Sequence, residues 1–196
     1  MRSFLKKSWL ILAIVLVSIG IYVASTYNLL VAHDESVNKY FAELQATYQR
    51  RLDLLPNLVA VVKANSEYEK TVLEQVAQAR ALALQVTQNV QAGGTNYPEL
   101  EAKQAELANA ANRLIAVIEN YPDLKATEAF GNLQTQMEGT ERRILVARRD
   151  LNEAVRHYNL KVRGLPSNLV AGAFGFKQKK GFEADAGTER PPEIKF

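Results

Sequence analysis

From Ser8 to Ala32 no residue carries a formal charge. That run limits the possible folds more than any other feature of the chain. Its apolar centre, Trp9 to Ala24, reaches with its flanks the roughly 20 residues a helix needs to cross a hydrocarbon layer. Trp9, Tyr22 and Tyr27 stand where aromatics of the membrane–water boundary are expected. A cleaved signal peptide also starts with basic residues and an apolar stretch, and Arg2, Lys6 and Lys7 would suit its first part. The apolar run is long for that purpose. Tyr22 also lies two positions before Ala24, where cleavage wants a small side chain. The reading adopted is an uncleaved transmembrane anchor over residues 8–26, spanning the membrane once.

Charge asymmetry sets the expected orientation. Arg2, Lys6 and Lys7 precede the run without an acid among them, whereas Asp34, Glu35, Lys39 and Glu43 follow it. Positive residues stay on the cytoplasmic side. Residues 1–7 are therefore expected in the cytoplasm and the remainder outside it, anchored in the cell (inner) membrane. A cytoplasmic stub this short holds no signalling module, so an inward signal would need a partner.

Beyond the anchor, apolar residues return with helical spacing. Leu30, Val37 and Leu44 are seven apart, with Tyr40, Phe41 and Tyr48 on the same side. A first helix is expected from Tyr27 to Leu52, with continuity into the anchor left open. Pro56 lacks the amide hydrogen a helix interior needs, and Asp53 can cap a new helix with Pro56 in its first turn. A tight reversal is expected there, with a kink in one long helix as the alternative. A second helix would run from Leu54 to Gln91. Leu58, Val62, Val72, Val76, Ala79, Ala83, Val86 and Val90 form its buried side, and Gly93-Gly94 ends it.

Two later starts echo each other: Asn96-Tyr-Pro-Glu-Leu100 and Asn120-Tyr-Pro-Asp-Leu124. Proline and an acid suit a first turn. Helix three is expected over Tyr97–Asn120, with Leu100, Leu107 and Leu114 in register and Ala111 with Ile118. Helix four is expected over Pro122–Arg163. Phe130, Met137, Ile144, Leu151 and Tyr158 recur every seventh residue there, and Leu133, Ala147 and Ala154 form a second seam. Such coiled-coil-like spacing argues for packing among long helices. The expected fold is all-α: the transmembrane helix, then an antiparallel up-and-down four-helix bundle over residues 27–163.

In that topology the last helix returns toward the membrane. Residues 164–183 then either touch lipid or cap the open bundle end. Between Lys161 and Lys180 stand five basic residues and no acid. Phe174, Phe176, Lys177, Lys179 and Lys180 are the candidates for a membrane interface; in the capping alternative the two phenylalanines are plugs. Residues 184–196, rich in charge, Gly and Pro, are expected to be disordered.

Several stretches resemble the LemA family of bacterial membrane proteins. They are Tyr27-Asn-Leu-Leu-Val31, Gln49-Arg-Arg-Leu-Asp-Leu-Leu-Pro-Asn-Leu-Val59, Glu141-Arg-Arg-Ile-Leu-Val-Ala-Arg-Arg-Asp-Leu-Asn152 and Pro166-Ser-Asn-Leu-Val-Ala-Gly-Ala-Phe-Gly-Phe176. The resemblance runs in order over nearly the whole chain. It implies a single-pass anchor with a four-helix bundle and suggests membrane-linked scaffolding, but it implies no particular chemistry. Tyr40-Phe41 stands where the family commonly has Ala-Trp, a change within packing chemistry.

The search for catalytic motifs finds little. With no Cys, thiolate catalysis, Cys-ligated zinc and disulfides are excluded. Di-iron bundles need paired Glu-x-x-His motifs, and neither His33 nor His157 has Glu three positions before it. Glu153, four before His157, reads as a surface pair. Gly93-Gly94 lacks the Lys-Ser/Thr of a phosphate loop, and no Gly-x-Ser-x-Gly elbow occurs. Net charge of +3 is too mild to argue for nucleic acid. No enzyme activity, cofactor or metal is expected.

The most distinctive polar cluster is Gln49, Arg50, Arg51, Asp53 and Asn57. It reads first as capping of a reversal, with Arg satisfying carbonyls at the end of helix one. Its functional reading is a partner surface formed by Gln49, Arg50, Arg51 and Asn57. Arg142-Arg143 and Arg148-Arg149 read as ion-pair partners of a neighbouring helix more readily than as a site for an acidic partner. The function expected is a non-enzymatic scaffold engaging the lipid bilayer and an unidentified protein partner, with homo-oligomers allowed. The alternative is an extracytoplasmic sensor holding a small ligand between helices, near Asn65.

Overall fold

The computed structural model describes residues 2–63, 97–119 and 127–182, with isolated positions at 74, 77, 78, 80, 81, 84, 85, 88 and 125. Four helices carry the described chain: α1 (Arg2–Lys63), α2 (Tyr97–Glu119), α3 (Glu128–Arg163) and α4 (Ser167–Ala173). No strand occurs among the described residues. The expected helical content is present. The Gly93-Gly94 stop, the Asn120 to Leu124 start, the 184–196 tail and Asn65 lie outside the described residues.

Pro56 corrects the expected reversal. It lies inside α1, which continues to Lys63. The first helix therefore does not end at Leu52, and the second does not start at Leu54. A proline in a helix interior costs about 3 kcal/mol, and the residue before it disfavours helical backbone. The compensation is burial. Leu52, Leu55 and Leu58 are each at most 1% exposed, and Leu54 is buried with them. Each such leucine contributes on the order of 2 kcal/mol, so the helix that aligns all four outweighs the local penalty. Asp53 caps nothing; it accepts from Gln49 Nε2 one turn earlier at 2.8 Å.

The expected start at Pro122 lies outside the described residues; Thr127 is not helical, and α3 follows it. Its first helical residue is Glu128, and the Thr127 hydroxyl accepts the Phe130 amide at 3.3 Å. That is the bond of an N-cap Thr. Lys161 and Arg163 in the last turn of α3 suit the negative end of its dipole.

The chain divides into two compact units. Unit 1 comprises Met1–Tyr40 and Leu151–Lys180; unit 2 comprises Phe41–Asp150 and Gly181–Phe196. In unit 2 the core is a leucine-rich cluster drawn from α1, α2 and α3, including Leu55, Leu58, Leu107, Leu114, Phe130 and Met137. In unit 1 the buried side chains include Leu30, Val37, Leu151, Val155, Tyr158 and Val170. The seven-residue lines behave as their spacing predicts. Leu30, Val37 and Leu44 are buried, as are Leu100, Leu107 and Leu114, and as are Phe130, Met137, Ile144, Leu151 and Tyr158.

The uncharged run has the opposite character. It is helical throughout and, by length and composition, is able to cross a membrane. Its large side chains are exposed, Trp9 at 74% and Ile21 at 66% among them. An apolar surface without a cover on all sides is what a lipid-facing helix presents.

Candidate interaction surfaces

Two polar constructions stand out, one in each unit. In unit 2 the line Leu30, Val37, Leu44 continues with the same spacing to Arg51 and then Leu58. A cation thus occupies a core position, and Arg51 is only 5% exposed. Its guanidinium forks onto Glu141 of α3: Nε donates to Oε1 at 2.8 Å, and Nη2 donates to Oε2. Nη1 turns to α2, donating to the Gln104 carbonyl at 3.1 Å and to Gln104 Oε1 at 3.3 Å. The Tyr48 ring lies 5.9 Å from the guanidinium carbon. One side chain therefore ties three helices, using the planar fork that suits Arg and not Lys. Its acceptor Glu141 remains about half exposed, so water shares the carboxylate and moderates the strength of the pair.

A second tie lies alongside. Arg148 of α3 pairs with Glu101 of α2, and its guanidinium faces the Phe182 ring at 5.5 Å. The neighbouring-helix pairing expected for this arginine is present. Arg149 instead meets its chain neighbour Asp150 at 3.2 Å. Arg142 and Arg143 are exposed on α3. Between the two ties a groove of about 410 Å³ is lined by Tyr48, Arg51, Gln104, Asn109, Glu141 and Arg148, with apolar neighbours.

The expected partner surface is thereby divided. Gln49, Arg50 and Asn57 are exposed, whereas Arg51 is buried and engaged. Arg51 does not satisfy carbonyls at a helix-one terminus, because no terminus is there. Sequence reasoning missed Gln104 and Thr140, both 2% exposed. The available signal was a polar residue standing on an apolar seam. Thr140 satisfies its hydroxyl against the Gln136 carbonyl at 2.8 Å, a bond internal to α3.

In unit 1 the segment after α3 folds back as a clasp. Gly164 permits the turn, since a Cβ there would sit 2.8 Å from the Leu160 carbonyl oxygen. The Ser167 hydroxyl donates toward the Lys161 and Gly164 carbonyls at 2.7 and 2.9 Å. α4 ends at Ala173, and Gly175 just beyond it takes a φ of 79°, natural only for glycine. The amide of Phe176 reaches the Ala171 carbonyl at 2.9 Å and that of Gly175 the Gly172 carbonyl at 3.4 Å. This paired closure is a Schellman motif, and it turns Phe176 back toward α1. The Tyr27 ring meets Phe174 at 4.9 Å and Phe176 at 5.7 Å.

The continuation after Phe176 is sewn to α3 and α1. Asn159 donates to the Lys179 carbonyl at 2.8 Å and accepts the Lys179 amide at 2.9 Å. The Tyr158 hydroxyl donates to the Lys177 carbonyl at 3.0 Å. Burial, then the charge and hydrogen bonding of Asp34, push the Tyr158 phenol above its ordinary pKa. The Lys179 ammonium pairs with Asp34 at 2.8 Å and lies 5.3 Å from the Tyr158 ring centre. Among the expected interface residues, Lys179 and Phe176 are thus part-buried in the clasp, while Phe174, Lys177 and Lys180 remain exposed.

The histidines have ordinary surroundings. His157 Nε2 contacts Glu153 at 2.9 Å, the surface pair expected from their spacing. Arg156 hydrogen bonding is the main cause that lowers the Glu153 pKa. The His33 pKa is lowered, first by burial and then by the charges of Lys161 and His157. Among the described residues no three His, Asp or Glu side chains converge as metal ligands do.

A family model described as the LemA family matches residues 40–196. Magnetosome protein MamQ 2 of Paramagnetospirillum magneticum is 24% identical over 183 residues, covering 84% of this chain and 67% of the relative. MamQ 1 of the same organism matches equally, at 24% over 183 residues. Magnetosome protein MamQ of Magnetospirillum gryphiswaldense is 22% identical over 203 residues, covering 93% of this chain and 75% of the relative.

Proposed function

We propose, from the premise that this chain belongs to the LemA family, that it is a non-enzymatic scaffold anchored in a membrane by the first part of α1. One observation carries this reading: the exposed apolar helix over the uncharged run continues without a break into the packed part of α1. A helix that is apolar all round is stable in lipid and costly in water. The basic residues before the run favour a cytoplasmic N-terminus and a helical body outside it, at the inner membrane. Similarity to proteins named for magnetosomes, which are membrane compartments, supports a membrane setting. The helices after the anchor would pack as an antiparallel up-and-down bundle. They would present Gln49, Arg50 and Asn57 to a protein partner or to a second copy of the chain.

Site-specific photocrosslinking in intact cells tests the scaffold. A photoreactive residue replacing Arg50 or Asn57 in the full chain is expected to give the same discrete adduct in repeated growths. Absence of a discrete adduct at both positions, under several growth conditions, contradicts the reading.

A second reading is a small-ligand sensor, favoured by the polar groove beside Arg51. It requires a saturable thermal shift of the detergent-solubilised chain with a polar small molecule. That shift should disappear in Arg51→Met. A scaffold alone gives adducts and no such shift.

A further inference from the structure

The clasp of unit 1 covers α1 at one particular level. Along the uncharged run the side chains are exposed as far as Tyr22, then Val23 is half-buried and Thr26 is buried at 6%. Phe174 and Phe176 pack against the Tyr27 ring, tilted and edge-on. Val23 and Tyr27 are one helical turn apart, about 6 Å along the axis. Hence α4 and the turn after it are fixed beside the place where α1 leaves its apolar run.

The outer face of this clasp is apolar. Within and just before α4, Val170 and Ala171 point inward and are buried, while Leu165 and Leu169 are exposed at 82% and 70%. Leu165 stands in the turn before α4 and Leu169 in its first turn. Phe174, though packed against Tyr27, remains 54% exposed. Along this segment the charge has one sign. Lys161 to Lys180 contains no acid. Lys179 is held by Asp34, while Arg163, Lys177 and Lys180 are exposed. Leucines and an aromatic ring fringed by cations match the boundary of an anionic bilayer, where apolar groups sink below the headgroups and cations stay among them.

We propose that this clasp is a second, non-spanning membrane contact: Leu165, Leu169 and Phe174 enter the interfacial layer of the leaflet that α1 leaves, and Arg163, Lys177 and Lys180 hold anionic phospholipid headgroups. The occupant is lipid because the patch is joined to the spanning helix within one compact unit, at the level of its exit. The inference rests on the membrane anchor proposed above. It assigns the clasp the task of fixing the tilt and rotation of the anchor, which depend on interfacial side chains.

The full chain has no Cys, so single-cysteine variants report without background. Leu169→Cys and Leu165→Cys, with Val17→Cys and Leu145→Cys as references, are labelled with bimane. They are then reconstituted in nanodiscs of phosphatidylcholine with about one-third phosphatidylglycerol. Lipids brominated near the head or near the end of their acyl chains are the quenchers, for the shallow clasp positions and for the bilayer centre. The expected result is blue-shifted, quenched emission at Val17 and at both clasp positions, and unquenched emission at Leu145. Changing Arg163→Gln, Lys177→Gln and Lys180→Gln together should lower clasp quenching to the level found in phosphatidylcholine alone.

Quenching at Val17 but at neither clasp position overturns the proposal and leaves the anchor standing. Absence of quenching at Val17 overturns both. Blue-shifted but unquenched clasp labels mean that protein, not lipid, covers the patch. Quenching indifferent to phosphatidylglycerol overturns the assignment to anionic headgroups.

Discussion

Unit 2 buries leucine on leucine and places a cation in the middle of the packing; unit 1 has fewer leucines inside and closes itself with main-chain hydrogen bonds from a folded-back segment. In unit 2, Leu52, Leu55, Leu58, Leu107 and Leu114 are each 1% exposed or less, with Arg51 among them on the same helical line as Leu58. In unit 1 the ordering contacts run from Asn159 and Tyr158 to the backbone of Lys177 and Lys179, and large apolar residues remain outside. The contrast shows that apolar side chains are used for two purposes. Where they are covered, they stabilise packing. Where they are left out, at Trp9 to Ile21 and at Leu165 and Leu169, they mark the surfaces we assign to lipid.

The contrast is most easily broken by removing volume. Leu58→Ala should destabilise unit 2 by about 3 kcal/mol, through lost transfer energy and the cavity left behind. Chemical denaturation of the solubilised chain, followed by circular dichroism, measures this. A loss below half that value would mean that the leucine cluster is not the main support of unit 2.

The next effect is an asymmetry at the cation. Glu141→Ala leaves the buried Arg51 guanidinium with Gln104 and the Tyr48 ring but no carboxylate, and should cost about 2 kcal/mol. Arg51→Met removes the buried charge and leaves Glu141, already half exposed, to water; its cost should be smaller. Equal costs in the two variants would show that the pair acts as an ordinary surface ion pair.

A smaller effect is expected from Asn159→Ala, which removes both bonds to Lys179. The expected cost is about 1 kcal/mol. Hydrogen exchange should show loss of protection at the Lys179 amide and unchanged protection in α2. Retained protection at Lys179 would remove the clasp's hydrogen bonds from the account.

The smallest effect is on acidification. His33 has a folded pKa below its ordinary value of 6.5 because burial, then Lys161 and His157, oppose its charge. The unfolded chain therefore takes up this proton first as pH falls. The stability contributed is complete above about 6.5 and declines as pH falls toward the depressed folded value. His33→Gln should flatten that decline below pH of about 6.5, read as the difference in denaturation midpoints. An unchanged slope would exclude His33 as its source.

Much of this division was legible in the sequence. The seven-residue lines named the buried sides of α1, α2 and α3 because burial along a helix follows its period. The clasp's turn at Gly175 was not read from the sequence, although a glycine just past a short helix is a usual place for one. The break at Pro56 was misjudged because local propensity was weighed without the four leucines around it, whose burial depends on helices distant in sequence. Arg51 was assigned to a helix end or to a partner surface, although its place in the line Leu44, Arg51, Leu58 marked it as interior. The Asn159 and Lys179 pairing was not legible, since it depends on where two turns bring a segment twenty residues away.

The central claim is that α1 crosses a bilayer and holds the helical body on the far side from its N-terminus. Labelling of Ser3→Cys and Leu145→Cys with a membrane-impermeant maleimide in intact cells tests this most directly. The account predicts labelling of Leu145→Cys in intact cells and of Ser3→Cys only after permeabilisation. Both positions labelled on one side of the membrane, or the chain recovered without membranes, would contradict it.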